Sequence, residues 1–386
     1  MSSLVHPSAD VSTSTEVSLI RFVGYFLWLG TVGFGGPIAL AGHMQQDLVN
    51  ERGWIKKEDY VEGLALAQLA PGPLAAQLAI YLGYVRAGIL GATAVGVAFV
   101  LPSFLMVLCL SAAYVRFGGL AWMQGLFYGI GAAVIGIITR SAFKLTTLTL
   151  GSDKLLWGIF AVLGISTAWT SREIVPLFLM GGIVALFAKS FPMRKSKSIA
   201  MVLFAPVGFL PHSGVLWEIF LYFAKAGLFV FGSGLAVVPF LYGGVVHDHR
   251  WLTELQFVDA VAVAMITPGP VVITVAFIGY LVAGIKGASV AALGIFVPVY
   301  LVVLILAPSY KRWARNPQLN AFVRGVTAAA TGAIAGAVIV LARRSIYDWP
   351  TLGIALASGA ILFRWKVPEP LLIACAGLIG IALHST

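Results

Sequence analysis

Charge is scarce in this chain. Of its 386 residues only 10% are Asp, Glu, Lys or Arg, and just 15 of those are acidic. A soluble domain carries roughly a quarter charged residues, so a water-exposed globular fold is excluded. Cysteine is nearly absent as well: Cys109 and Cys375 sit in separate apolar segments with no CxxC or His-rich spacing. That excludes a disulfide framework, leaves no metal site to expect, and makes both residues read as buried small hydrophobes. There is no glycine-rich loop ending in Lys-Ser/Thr, no HExxH, no Asp-rich prenyl-diphosphate motif and no Ser-His-Asp set at membrane depth. These absences argue against an enzyme and against a resident cofactor. Without an ATP-binding motif, any transport runs downhill or on an ion gradient. The stretch from Met1 to Ser18 has no basic residue ahead of the first apolar run, unlike a secretory signal peptide. It is expected to be retained as a disordered tail.

What abounds is apolar sequence, 60% hydrophobic with a mean hydropathy of +0.96. This is the composition of an all-α polytopic membrane protein, whose first partner is the lipid bilayer. The net charge of +10 invites a nucleic-acid reading. Yet the basic residues stand singly or in short clusters between apolar spans, where the positive-inside rule accounts for them, so nucleic acid is not an expected partner. Runs long enough for a spanning helix lie near 19-41, 58-85, 88-111, 122-143, 155-170 and 174-190, and again near 215-241, 255-283, 285-308, 319-341, 349-364 and 367-384.

The two series correspond almost without gaps. Gly30, Phe34, Gly35, Trp54, Pro71, Gly72 and Pro73 match Gly227, Phe231, Gly232, Trp251, Pro268, Gly269 and Pro270 at an offset of 197 (268 − 71). Gly83, Gly91, Pro102, Gly129 and Gly136 match Gly279, Gly287, Pro298, Gly325 and Gly332 at 196 (279 − 83). An internal duplication follows, with repeats over 19-190 and 215-386 and a linker at 191-214. Loop charge bears on orientation. Arg52, Lys56 and Lys57 follow the first segment where half two keeps Arg250, whereas after the third segment Arg116 stands alone against Lys311, Arg312 and Arg315. Opposite bias in equivalent loops predicts inverted repeats, although Arg343 and Arg344 fit that pattern poorly.

Two motifs interrupt helices in each half: Gly33-Phe34-Gly35-Gly36-Pro37, answered by Phe231-Gly232-Ser233-Gly234, and Pro71-Gly72-Pro73, answered by Pro268-Gly269-Pro270. Proline removes a donor and clashes with the preceding turn, so a helix breaks there or re-enters. Each break leaves a half-helix N-terminus, an anion site made without a cationic side chain. Paired broken helices in two repeats point to a transporter binding site. Gln68 and Gln77 flank the first Pro-Gly-Pro, and Thr267 and Thr274 the second. The expected substrate site therefore comprises Gly35, Gly36, Pro37, Gln68, Pro71, Gly72, Pro73 and Gln77 with Gly232, Ser233, Gly234, Thr267, Pro268, Gly269, Pro270 and Thr274. Gly129 and Gly332 read as packing glycines.

Ionisable residues near the membrane are few. Glu62 and Asp259 are equivalent under the repeat (62 + 197 = 259) and precede their breaks by some two turns. They are candidates for proton exchange, or else carboxylates at solvated helix ends. Lys225 has Trp28 as its counterpart and either neutralises an anion or snorkels to the interface, and Arg140 and Arg324 invite the same pair of readings. His43 is a further candidate titrating group, or a loop histidine.

At GFGGP (33-37), RGWI (52-55), QLAPGP (68-73) and TPGP (267-270) the chain resembles the chromate ion transporter family in its long, two-domain form. The likeness runs from about Leu19 to Ala382. It implies export of chromate across the bacterial inner membrane on the proton-motive force, conferring chromate resistance, with the similar oxyanion sulfate also handled. The family signature falls on Gly33 to Pro37 and its Pro-Gly-Pro on 71-73. Ser233-Gly234 stand where Gly36-Pro37 do, so the halves are expected to be unequal. Residue chemistry alone reaches an oxyanion transporter. It leaves open chromate against sulfate, direction, coupling ion and a homodimer, with a channel or a membrane-embedded enzyme as the competing classes.

Overall fold

The computed structural model describes residues 17–34, 36–118, 120–170, 175–189, 214–229, 231–232, 241–309, 316–365 and 367–384. The expected tail and linker fall outside these except for Val17, Ser18 and Gly214. Half one contains α1 (Leu19–Val32), α2 (Gly36–Met44) leading into a π turn, α3 (Lys57–Leu69), β1 (Gly72–Pro73), α4 (Leu74–Phe117), α5 (Ala121–Leu150), α6 (Lys154–Thr170) and α7 (Val175–Lys189). Half two contains α8 (Val215–Phe229), β2 (Phe231–Gly232), α9 (Glu254–Ile266), α10 (Thr274–Leu306), α11 (Pro317–Ser345), α12 (Trp349–Arg364) and α13 (Glu369–His384). Polar caps set the starts. The Thr253–Gln256 capping box opens α9, Asn316 with Pro317 opens α11, and the Asp348–Thr351 box opens α12.

The stretch 58-85 does not cross as one broken rod. A Cβ on Gly63 would strike the Tyr81 ring, and those residues are 18 apart in sequence (81 − 63). A straight helix would separate them by about 27 Å, so the chain doubles back at Pro71-Gly72-Pro73. Half two does the same. Tyr114 donates to Asp259 and packs edge-on against Phe277, again 18 residues apart (277 − 259). Each Pro-Gly-Pro is therefore the tip of a helical hairpin. A second reversal follows at Gly88 (φ +57°) and Gly284 (φ +59°), which divide α4 and α10. Beyond these turns Gly83 abuts the Gly91 carbonyl and Gly279 the Gly287 carbonyl, contacts that any side chain would prevent.

The hairpin bases are clamped alike in both halves. Arg52 lies over Tyr25 at 5.1 Å and over Trp54 at 4.8 Å. His249 stacks on Trp251 at 4.3 Å and meets Tyr222 edge-on.

The halves exchange helices. On α5, Gly129 seats against the Ala376 carbonyl of α13, and Gly136 would place a Cβ 2.9 Å from the Ala355 carbonyl of α12. Reciprocally, on α11 Gly325 seats against Gly181 of α7, and Gly332 and Gly336 against Phe160 and Gly164 of α6. Gly129 and Gly332 are thus packing residues, as expected. Dispersion across such close backbones replaces the hydrophobic drive that lipid cannot supply. A polar link adds to this seam, with the Tyr128 hydroxyl donating to Asp348 at 2.7 Å.

Among the described residues, four helical stretches are long and apolar enough to cross a membrane: Leu74–Phe117, Ala121–Leu150, Val271–Ser309 and Pro317–Ser345. Exposed Trp122, Trp169, Trp349 and Trp365 mark helix ends, as interfacial anchors do. The chain is a multi-pass membrane protein. Both cysteines are free, but they lie exposed on helix faces rather than buried in the core, a correction to the sequence reading. An apolar side chain facing lipid gives the same sequence signal as one facing protein.

Candidate functional site

The breaks meet in two crossed pairs. Gly72 and Pro73 run parallel to Phe231 and Gly232, and the Gly269 N–H donates to the Gly33 carbonyl at 2.8 Å. Each repeat's Pro-Gly-Pro is thus held by the other repeat's glycine motif. Backbone groups at a break need partners inside an apolar body, and at these crossings the opposite break supplies some of them. Both central glycines take conformations closed to L side chains, Gly72 at φ +138° and Gly269 at φ +95°.

Buried side chains bind further carbonyls around the breaks. Gln77 is wholly buried and its Nε2 donates to the Pro71 carbonyl at 2.6 Å. Ser103, also wholly buried, donates to the Pro268 carbonyl at 2.7 Å and faces the Gly30 carbonyl at 3.3 Å. Thr267 donates to Val263, and Thr274 to Val271. Gln77 and Thr274, expected from sequence as substrate ligands, are not on the cavity wall and give their donors to the Pro71 and Val271 carbonyls. A helix break consumes polar side chains to satisfy its own carbonyls, and sequence cannot tell a brace from a ligand.

Beside the Gly33–Gly269 crossing lies a cavity of about 520 Å³. Gly33, Phe34, Gly36 and Pro37 form one side, Gln68, Leu69 and Leu74 a second, and Thr267, Gly269 and Val271 a third. The starts of α2 and α4 and of the turn into α10 all reach this wall, bringing the positive ends of those elements with them. Arg140 and Lys144 from α5, Arg324 from α11 and Glu369 from α13 complete it. Three cations and one carboxylate beside helix N-termini give the cleft a net positive charge with one acidic member.

Of the expected site residues, Gly36, Pro37, Gln68, Thr267 and Gly269 line this wall. Pro71, Gly72, Pro73, Pro268, Pro270 and Gly232 shape the crossings behind it. Gly35, Ser233 and Gly234 lie outside the described residues. None of the four candidate titrating groups reaches the wall. Glu62 is half-buried on α3, His43 and Lys225 are exposed on α2 and α8, and Asp259 is buried against Tyr114. Arg140 and Arg324, two cations with undecided sequence readings, are in it. Lys144, Glu369, Ser103 and Tyr114 escaped the sequence reading. The spacing of Arg140 and Lys144, one turn apart on one face of an apolar helix, was the available signal for the first.

The model of the family described as Chromate transporter matches residues 20–188 and again 217–381, one match per repeat. The chain is 58% identical to the chromate transport protein of Cupriavidus metallidurans, over 98% of this chain and 96% of that one. It is 52% identical to a probable chromate transport protein of Synechococcus elongatus, over 99% and 98%. Identity to the chromate transport protein of Pseudomonas aeruginosa is 30%, over 97% and 96%. No solved structure matches. A family model that fits twice, at the two halves whose breaks cross to build the cleft, makes this a transporter and not an enzyme: the chain belongs to the chromate transporter family, in the long form that carries both halves in one polypeptide.

Proposed function

We propose that the cleft is the substrate site and that the protein exports chromate across the bacterial inner membrane on the proton-motive force. The observation that carries this reading is the convergence of Arg140, Lys144 and Arg324 with the crossed helix breaks on one cavity. A tetrahedral dianion suits such a wall, since backbone N–H groups and three cations can each take an oxygen or offset charge. Sulfate has the same charge and shape and is expected to compete for it. The test is flux in proteoliposomes under an imposed pH gradient and, separately, an imposed potential. Replacing Arg140 or Arg324 by Gln is expected to raise the apparent KM for chromate by about tenfold, the scale of one lost charge contact near a half-open surface. Unaltered KM in both variants counts against the cleft as the site.

The swapped loop charge supports an inverted arrangement of the repeats. Cysteines introduced at Lys56 and at Glu254, the starts of equivalent hairpins, are then expected to label from opposite faces of the membrane. Labelling from one face would make the repeats parallel. Proton exchange is assigned to Asp259, with Glu62 as its repeat counterpart.

A further inference from the structure

The cleft wall contains a carboxylate that anion binding alone does not call for. Glu369 begins α13 between Pro368 and Pro370, which fix its backbone. The Pro368 carbonyl accepts from the N–H groups of Leu371 and Leu372, closing the first turn. Along the same helix Gly380 is seated against Gly125 and Gly129 of α5, so α13 has no room to slide. Glu369 shares the cleft wall with Arg140 and Lys144, whose positive charges act on its carboxylate. These are two of the three cations that line the cleft.

We infer that Glu369 is a tethered counter-anion: it competes with the oxyanion for Arg140 and Lys144 and so trades affinity for release. The inference rests on the proposed oxyanion cleft. Three positive charges less one leave two, which matches a dianion. With the carboxylate gone, a dianion meets three cations, binds more tightly and leaves more slowly. Conduction through any site requires binding favourable enough to enter and weak enough to leave, and a fixed like charge beside the cations tunes that balance. Glu369 is a positioning and specificity residue on this reading, acting through the two cations rather than on the substrate.

The test uses the whole purified chain in proteoliposomes with chromate as substrate. Glu369→Gln is expected to lower the apparent KM by about tenfold and to lower the maximal rate by a similar factor. Glu369→Asp keeps the charge and should stay near the unaltered protein. Glu369→Gln combined with Lys144→Gln returns the count to two and should bring KM and rate back together. Suppose Arg140→Gln raises KM as expected while Glu369→Gln leaves KM unchanged or raises it: the counter-anion role is overturned and the cleft stands. If Arg140→Gln, Lys144→Gln and Arg324→Gln all leave KM unaltered, the cleft itself fails and takes this inference with it. Equal loss of insertion in Glu369→Gln and Glu369→Asp would make the residue a fold element and overturn the proposal too.

Discussion

Replacing Gly269 by alanine is expected to reduce chromate efflux to the background of empty membranes. At φ +95° an L residue is strained, and the new Cβ would collide with Ser103 Oγ while lying 3.3 Å from the Gly30 carbonyl. Ser103 has nowhere to go, because its hydroxyl is wholly buried and holds the Pro268 carbonyl. Relief of the clash must come from the backbone, which means opening the Gly269–Gly33 hydrogen bond that ties one repeat's break to the other's. Gly72→Leu should act through the other crossing. Its Cβ would lie 2.6 Å from Gln77 Nε2 and 2.9 Å from Val299, and its φ is +138°. Ser103→Ala is the milder probe: it removes a donor, adds no bulk, and is expected to cost roughly 1–3 kcal/mol at the buried Pro268 carbonyl, with reduced but measurable flux. Efflux assays on membranes matched for protein content separate these outcomes. Normal flux from Gly269→Ala would show that the crossing is not needed for transport.

The duplication and the breaks were legible in the sequence because glycine and proline at fixed spacing report backbone events directly. Gly83 and Gly91 recur as Gly279 and Gly287, and both pairs turn out to be the same close contact. What the breaks do with one another was not legible. Nothing in Pro-Gly-Pro says that its partner is the other repeat's glycine motif, since hydrogen bonds between distant backbones leave no mark on side-chain type. The exchange of α5 and α11 between halves is hidden for a similar reason: an apolar helix with small residues looks the same whichever neighbour it packs on. The candidate cleft was half legible. Gln68, Thr267 and Gly269 reach the cleft wall because they neighbour the breaks, whereas Lys144 and Glu369 come to it from helices whose motifs lie elsewhere. Gln77 and Thr274 lie off the cleft wall, their donors given to carbonyls beside the breaks.

Changing Asp259 to Asn is expected to uncouple transport from the pH gradient while leaving exchange intact. The carboxylate is 3% exposed, its Oδ2 accepts from the Tyr114 hydroxyl at 2.7 Å, and its Oδ1 has no hydrogen-bond partner among the described residues. An ionised group so enclosed is costly, and a single neutral donor does not offset that cost. A proton on Oδ1 removes the charge, and under the proposed coupling this is the proton that is taken up and released in each cycle. The amide is isosteric and permanently neutral. It keeps the Tyr114 contact and loses the cycle. Chromate should therefore still exchange across the membrane, which needs no net proton movement, while uphill accumulation under an imposed pH gradient should fail. Tyr114→Phe leaves the acid in place and is expected to slow coupled transport without abolishing it. Glu62 stands at the equivalent place on α3 but is half-buried, so solvent already bears part of its charge and Glu62→Gln should have the smaller effect. Full pH-driven accumulation in both Asp259→Asn and Glu62→Gln would return these acids to a structural role and leave membrane potential, or His43, to supply the driving force.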